Sequence, residues 1–327
     1  MNLPVVSVIL TVYKRTEFLD EAIRSVLNQT FREFELIVTD DAPSEAAAQI
    51  CSEHASDGRV RYRRNDRTLG APLNVAAALR EARGNYITIL NDDDLLFPQM
   101  LEQLLHPLEQ NPNLVLSFGN HTVINQDGEH LQFESAHFMR QKGREGLLPG
   151  IINKPLDFVV RGGLMVVMGC VFRREFSDPD WLAPETVGAY DYWLAVKLAA
   201  KGSFYFVPEA VMSWRNHADS VSAKPNANRI RTADFIFNSL SEIPLSTELR
   251  SFVCQRLAYD LYWHGHDLLL NGLNRSEAQR VFWRALKLHP SLRLFGAWVL
   301  TFMPSFLRRL ALKAWLHTRP LRKTPNT

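Results

Sequence analysis

Tyr86-Ile87-Thr88-Ile89-Leu90-Asn91-Asp92-Asp93-Asp94 is the stretch that decides the fold. Five residues rich in β-branched and apolar side chains read as a buried strand, and the run passes directly into three carboxylates. The same juxtaposition occurs upstream, where Glu35-Leu36-Ile37-Val38-Thr39 runs into Asp40-Asp41. A third run, Val5-Val6-Ser7-Val8-Ile9-Leu10, ends in Thr11-Val12-Tyr13-Lys14-Arg15. In an open α/β sheet, ligands bind outside the carboxyl ends of the strands. Three such ends so close together in the chain point to one cleft rich in carboxylates. Carboxylates crowded that closely repel one another unless a cation sits among them. A divalent metal holding an anionic ligand, a nucleoside diphosphate, meets that requirement.

Between these strands the spacing predicts helices. Residues 17–28 put Phe18, Ala22, Ile23, Val26 and Leu27 on one face. Ser44 is an N-cap candidate for a helix to residue 53, and further helices are expected over 72–82 and 98–109. Short strands are expected over 60–63 and 114–118. Strands alternating with helices of this length favour βαβ units and a mostly parallel sheet. After residue 120 the pattern changes. Gln126-Asp127-Gly128 reads as a hairpin turn between 122–124 and 130–133, followed by a loop over 140–154. A buried strand over 164–172, a helix over 191–200 and a short strand over 204–207 are expected next. From residue 228 the pattern is helical, broken at Pro244, Pro290 and Pro304.

Composition bounds the class. The 327 residues are 46% hydrophobic and 22% charged, ordinary for one large domain with an appendage or for two domains. The net charge of +2 hides an asymmetry: from Ala278 onward there are ten Lys or Arg and no Asp or Glu. Cys51, Cys170 and Cys254 lie far apart with no zinc or disulfide spacing, which favours a reducing compartment. The start, Met1-Asn2-Leu3-Pro4, lacks a charged region followed by a cleavable apolar stretch, and no uninterrupted apolar run is long enough to span a bilayer. A cytoplasmic protein is expected. The chain has no P-loop, no Gly-x-Gly-x-x-Gly after the first strand and no Gly-x-Ser-x-Gly elbow, so three common enzyme classes are set aside.

The block Ser7-Val8-Ile9-Leu10-Thr11-Val12-Tyr13-Lys14-Arg15 is followed by Ser25-Val26-Leu27-Asn28-Gln29-Thr30, then by Glu35 to Asp41. Gly70-Ala71-Pro72-Leu73-Asn74 and Gly84-Asn85-Tyr86-Ile87 come next, and Asn91-Asp92-Asp93-Asp94 closes the series. In this order and spacing the blocks resemble family 2 glycosyltransferases, over roughly residues 5–222. The resemblance implies a GT-A fold, a Rossmann-like, mostly parallel central sheet flanked by helices, here with a helical C-terminal extension. It implies domains over 1–225 (a nucleotide-binding half, 1–97, and an acceptor-side half, 98–225) and 226–327. The implied reaction is inverting transfer of a sugar from a UDP- or dTDP-linked donor to a hydroxyl of a glycan or lipid-linked saccharide. Cell-surface polysaccharide biosynthesis is the implied setting, and Mn²⁺ or Mg²⁺ the implied cofactor.

Site residues follow from the same matches. Thr11, Tyr13 and Asp41 would hold the base, Tyr13 by stacking and Asp41 by accepting an imide N–H. Arg15, Asp40, Gly70, Asn74, Asn91 and Asp92 complete the nucleotide set, with Asp92 at the ribose; Asp40 and Asp41 could also cap the following helix. Asp93 matches the metal-binding aspartate, while Asn91 stands where the family's first aspartate is usual. Asp191 matches the general base, a role with which capping its helix could coexist. The residue before it, usually acidic, is Tyr190. In Trp214-Arg215-Asn216-His217, the histidine would ligate the metal or contact the diphosphate, and Arg215 would pair with the diphosphate. Gly169, in the 164–170 segment, would let the backbone approach the donor sugar, or would merely bend a buried strand.

The C-terminal arm mixes apolar and basic residues over 306–316, as an interfacial helix does, and could rest on an anionic cytoplasmic membrane face or pack on its own domain. Nucleic acid is not expected as a partner, since no binding module accompanies the cations. Two rival functions remain. A catalytically silent nucleotide- or glycan-binding subunit of a polysaccharide assembly is favoured by Asn91 and Tyr190, and a nucleotidyltransferase would share the fold class and the metal.

Overall fold

The computed structural model describes residues 3–167, 169–217, 229–270, 274–304 and 306–307. The chain divides into two compact units, Met1–Asn226 and Ala227–Thr327. The first opens with β1 (Val6–Val12), α1 (Leu19–Leu27), β2 (Phe34–Asp40), α2 (Ala46–Glu53), β3 (Val60–Arg64), α3 (Ala71–Glu81) and β4 (Tyr86–Asn91). It continues through β5 (Leu95–Leu96), α4 (Met100–Gln110), β6 (Leu114–Ile124), α5 (Gln132–Gln141), β7 (Gly150–Ile152), α6 (Pro155–Val160), β8 (Cys170–Arg173), α7 (Tyr190–Ala199) and β9 (Ser203–Arg215).

All nine strands belong to one sheet of order β3-β2-β1-β4-β8-β6-β9-β5, with β7 on the far side of β9. Every residue of β2 is buried, and β1 is buried but for Thr11. Such continuous apolar runs belong to strands covered on both faces. Helical crossovers make β1, β2, β3 and β4 parallel. Beyond β4 the sheet is mixed, with β8 antiparallel to both β4 and β6 while β6 and β9 run parallel.

Several local expectations change. The turn at Asn125–Gly128 forms, but its second arm is a single bridge, Ile124 to His130, and the chain then enters α5. α5 buries only Ser135, so it offers no apolar stripe to betray it. The strand expected over 114–118 runs on to Ile124, and the one over 204–207 extends to Arg215 across an irregularity at Gly119–Asn120. The loop over 140–154 contains β7. In the 164–172 segment only its end is strand, because Val166 N–H bonds to the Asp191 carbonyl and Gly169 turns the chain at φ +69°. Ser44 does not cap α2, which starts at Ala46 with no side-chain cap.

The second unit consists, in its described residues, of α8 (Arg229–Leu240), α9 (Thr247–Leu270), α10 (Arg275–Leu288) and α11 (Leu292–Leu300). Leu257, Leu261, Leu268, Phe282, Ala285, Leu294 and Ala297 form its own core. Pro244 and Pro290 fall between helices as expected. A further break precedes α10, where the Asn274 side chain accepts from Glu277 N–H at 3.1 Å. Asn-x-x-Glu is an N-terminal capping pattern, a signal the proline-based reading passed over. Most of the 306–316 stretch lies outside the described residues. No helix among the described residues is long and apolar enough to cross a membrane.

Candidate functional site

From β1 the chain winds outward to β2 and β3, then returns to the other side of β1 for β4. The order therefore reverses between β1 and β4, the place where open α/β sheets bind ligands. Register makes this concrete. Thr11 pairs with Thr39 on one side and Asn91 on the other, while Val12 pairs with Asp40. The three polar strand ends of the sequence reading stand side by side.

On the β2 side the polar groups hold one another. Asp40 is buried, its Oδ1 accepting from Ala42 N–H at 2.8 Å and its Oδ2 from the Tyr62 hydroxyl at 2.7 Å. It ties the end of β2 to the turn at Ala42 and to β3. Asp41 accepts from Leu69 N–H and Gly70 N–H at 2.8 Å each, and from Asn65 Nδ2 at 2.9 Å. These bonds close the loop before α3 over the strand end, and Gly70 serves it with φ +87°. Asn74 is buried, accepting from the Thr39 hydroxyl at 2.7 Å and donating to the Thr39 carbonyl at 3.0 Å. Asn65 and Tyr62 were not singled out from sequence. An asparagine in a loop and a tyrosine on a strand carry no pattern that marks them as partners of an aspartate.

On the β4 side lies the acidic turn. Tyr13 N–H donates to Asp92 Oδ2 at 3.3 Å, and the Tyr13 ring is 44% exposed. Lys14 has φ +62° and bridges a 2.7 Å bond from Arg15 N–H to the Tyr13 carbonyl, a γ-turn of the strained hand. It is the only non-glycine residue with positive φ among those described. That turn sends Arg15 into the carboxylates, Nη2 lying 2.9 Å from Asp93 Oδ2 and 3.7 Å from Asp92 Oδ1. Arg15 Nη1 meets His217 Nε2 at 2.9 Å, and that nitrogen is 3.1 Å from Asp93 Oδ2. The structure thus brings Arg15, Asp93 and His217 together, with Asp92 beside them.

Asn91 turns its amide away, donating to Asp94 Oδ2 at 3.1 Å. Arg215 is a correction. Its buried guanidinium donates to the Asp93 carbonyl (2.9 Å), the Gln126 carbonyl (2.9 Å) and Glu21 (2.5 Å), and lies 4.4 Å from the Phe18 ring centroid. Its backbone N–H also donates to Asp94 Oδ1 at 3.0 Å. With its three nitrogens spent on protein acceptors, Arg215 braces the acidic turn and does not offer a fork to phosphate. At Gly169 a Cβ would lie 2.7 Å from Val211 Cγ2 and the backbone is left-handed at φ +69°, so packing on β9 and a bend both require glycine there.

Asp191 opens α7, half-buried, with Oδ1 accepting from Tyr192 N–H at 2.8 Å. Burial raises its pKa from the ordinary aspartate value, partly offset by the bond from Tyr192 N–H. The buried Tyr190 phenol is pushed up by burial first and then by the charges of Asp191, Asp92, Asp94 and Asp93. One side chain thus feels both the helix carboxylate and the whole acidic turn. Burial, then the charge of Asp93, pushes Asp92 up to about 7, and the same causes raise Asp94.

Residues 7–171 match the family described as "Glycosyl transferase family 2". The chain belongs to that family. It is 35% identical over 135 residues to an uncharacterised glycosyltransferase of Methanocaldococcus jannaschii, covering 40% of this chain and 47% of that protein. An uncharacterised glycosyltransferase of Haemophilus influenzae is 25% identical over 237 residues, 71% of this chain and 72% of that one. Chondroitin synthase of Escherichia coli is 25% identical over 230 residues, 68% of this chain but 30% of that protein. The chain spans about half the length, or less, of the first of its curated relatives. Among solved structures, Staphylococcus aureus TarS residues 1–349 in complex with UDP-GlcNAc superposes with TM-score 0.65 at 13% identity, over 97% of this chain and 93% of that one. A likeness at that identity is one of fold. The chain has the GT-A fold with C-terminal helices.

The donor set of the family 2 cleft suits a hard divalent cation. A carboxylate and an imidazole would leave the other positions to water and phosphate oxygens, as Mg²⁺ and Mn²⁺ favour. Among the described residues, no group of three or more His, Cys, Asp or Glu forms a metal cage without that help. Asp93 and His217 would hold the ion, and both bond to Arg15 in this structure.

Proposed function

We propose that this chain is an inverting, metal-assisted glycosyltransferase. It would use a UDP- or dTDP-linked sugar and a hydroxyl acceptor on a glycan or lipid-linked saccharide. The observation that carries this reading is the cluster of Arg15, Asp93 and His217, with Asp92 beside it, at the strand ends where the sheet order reverses between β1 and β4. Thr11, Tyr13 and Asp41 line the base and Asp92 the ribose. Arg15 meets the diphosphate.

Asp191 takes the proton of the acceptor hydroxyl, and that oxygen bonds to the anomeric carbon from the face opposite the diphosphate. The bond from the anomeric carbon to the β-phosphate oxygen breaks, and its electron pair leaves with the nucleoside diphosphate. Configuration inverts. A bound Mn²⁺ or Mg²⁺ supplies Lewis-acid stabilisation of the departing charge. The chondroitin synthase likeness supports a growing polysaccharide as acceptor. A lipid-linked acceptor would be met at a membrane face, on the cytoplasmic side in the setting expected from sequence.

Asn91, whose amide faces Asp94, favours a second reading as a silent binding subunit. Calorimetric titration of UDP, dTDP and GDP, with and without Mn²⁺, tests the donor site in wild type and Asp93→Ala. Metal-enhanced binding of UDP or dTDP that the variant loses is the expected result. Absence of binding by every diphosphate overturns the donor-site assignment. Turnover then separates the rest: free nucleoside diphosphate marks sugar transfer, pyrophosphate marks nucleotidyl transfer, and no product from a binding-competent protein marks the silent subunit.

A further inference from the structure

The second unit packs α9, α10 and α11 on a core of Leu257, Leu261, Phe282, Ala285, Leu294 and Ala297. What remains outside that core is aromatic. Trp283 is 44% exposed, Phe295 50% and Phe302 49%. Half-buried Trp298 joins them, its ring centroid 5.2 Å from Trp283, 6.2 Å from Phe295 and 4.9 Å from Phe302. Four aromatic side chains from two helices and the turn after them make one patch. Singly scattered surface apolars need no explanation, but a contiguous patch does.

Cations frame it. Ser276, Arg280, Trp283 and Lys287 are exposed at helical spacing along one face of α10, and Lys287 Nζ stands 5.4 Å from the Trp283 ring centroid. Arg293 is exposed on α11 beside Leu292. The sequence from Ala278 to its end holds no acidic residue to offset them.

We propose that this face docks on an anionic lipid bilayer, seating Trp283, Phe295, Trp298 and Phe302 at the headgroup level with Arg280 and Lys287 against lipid phosphates. Tryptophan with its polar N–H and apolar body suits that boundary, and cations beside it read the surface charge. Charge also selects the occupant. A second copy docked through the same face would oppose cation to cation, since a two-fold contact pairs a patch with itself. The contact is peripheral, because α11 spans nine residues and no described helix crosses a bilayer. It extends the proposed reading by bringing the enzyme to where a lipid-linked acceptor resides, and it rests on that reading only for its purpose.

The test is co-sedimentation of the full-length protein with vesicles of phosphatidylcholine alone or mixed with phosphatidylglycerol, at low and high salt. Expected is retention on the anionic vesicles only, weakened by salt, and reduced roughly tenfold or more in the triple variant W283S/F295S/F302S. The charge variant R280E/K287E loses the preference for anionic lipid. UDP titration runs alongside, and unchanged affinity in both variants keeps a folding defect and a failed donor site apart from a failed membrane contact. Equal retention of wild type and triple variant, or no retention on either vesicle, overturns the proposal. Self-association in solution that the triple variant abolishes assigns the face to a second copy and overturns it as well.

Discussion

Arg15 sits where a divalent ion would draw on Asp93 and His217, and the two cations are alternatives at one carboxylate oxygen. Removing the guanidinium frees that oxygen while leaving Asp92 and Asp93 without their counter-charge. Arg15→Gln is therefore expected to bind Mn²⁺ alone roughly tenfold more tightly than wild type, and to lose about 1–3 kcal/mol of ligand-free stability. Mn²⁺ titration and thermal melts read the two effects, and unchanged metal affinity refutes the competition. Asp191 gives a pH prediction. Its folded pKa is raised, so ionisation costs stability as pH rises above the unfolded carboxylate value. In its proposed role as base Asp191 works only when ionised, so kcat/KM is expected to fall as pH drops through that raised pKa, at higher pH than an exposed aspartate would give. Asp191→Asn should lower kcat roughly 10²- to 10⁴-fold with UDP affinity retained, and stabilise the fold near neutral pH. A pH–rate profile with a melt series checks both.

Among the strands and helices, the acidic turn after β4 is held by a strand that comes far later in the chain. β9 delivers Arg215, which bonds the Asp93 carbonyl, the Gln126 carbonyl and Glu21, while its backbone N–H bonds Asp94. Arg215→Met leaves buried carbonyls unpaired, so a loss of about 1–3 kcal/mol is expected together with weaker UDP binding. Arg215→Lys should not rescue it, since an ammonium cannot span three acceptors in a plane. Denaturant unfolding measures the first, calorimetry the second. This strand also marks how far sequence could be read. Strand ends facing one cleft were legible because three apolar runs each broke on polar residues. The loop and turn partners were not, because nothing in Phe18, Glu21 or Asn65 announces a partner tens to hundreds of residues away. Arg215 was misassigned to phosphate for the same reason: the motif names the residue and says nothing of what already occupies its donors. α5 was missed because its single buried position, Ser135, leaves no periodic pattern.

Over the full chain, every candidate site residue from Thr11 to His217 lies within the first unit, Met1–Asn226. A fragment of residues 1–226 is expected to bind UDP within about threefold of the full chain, since a compact unit with its own core keeps its site. Affinity lost altogether in a folded fragment, judged by circular dichroism, would show that the second unit contributes to the cleft. The bonds that finish the cleft at the acidic turn span long stretches of chain: 124 residues from Asp93 to His217, 194 from Glu21 to Arg215 and 202 from Arg15 to His217. On the ribosome, residues 1–97 therefore emerge with partners for Asp40 and Asp41 already among them, while the acidic turn still lacks Arg215 and His217. The acidic turn gains its last partners only when some two hundred residues have left the exit tunnel. Until then Arg15, made early and beside its aspartates, is the counter-charge of Asp92 and Asp93.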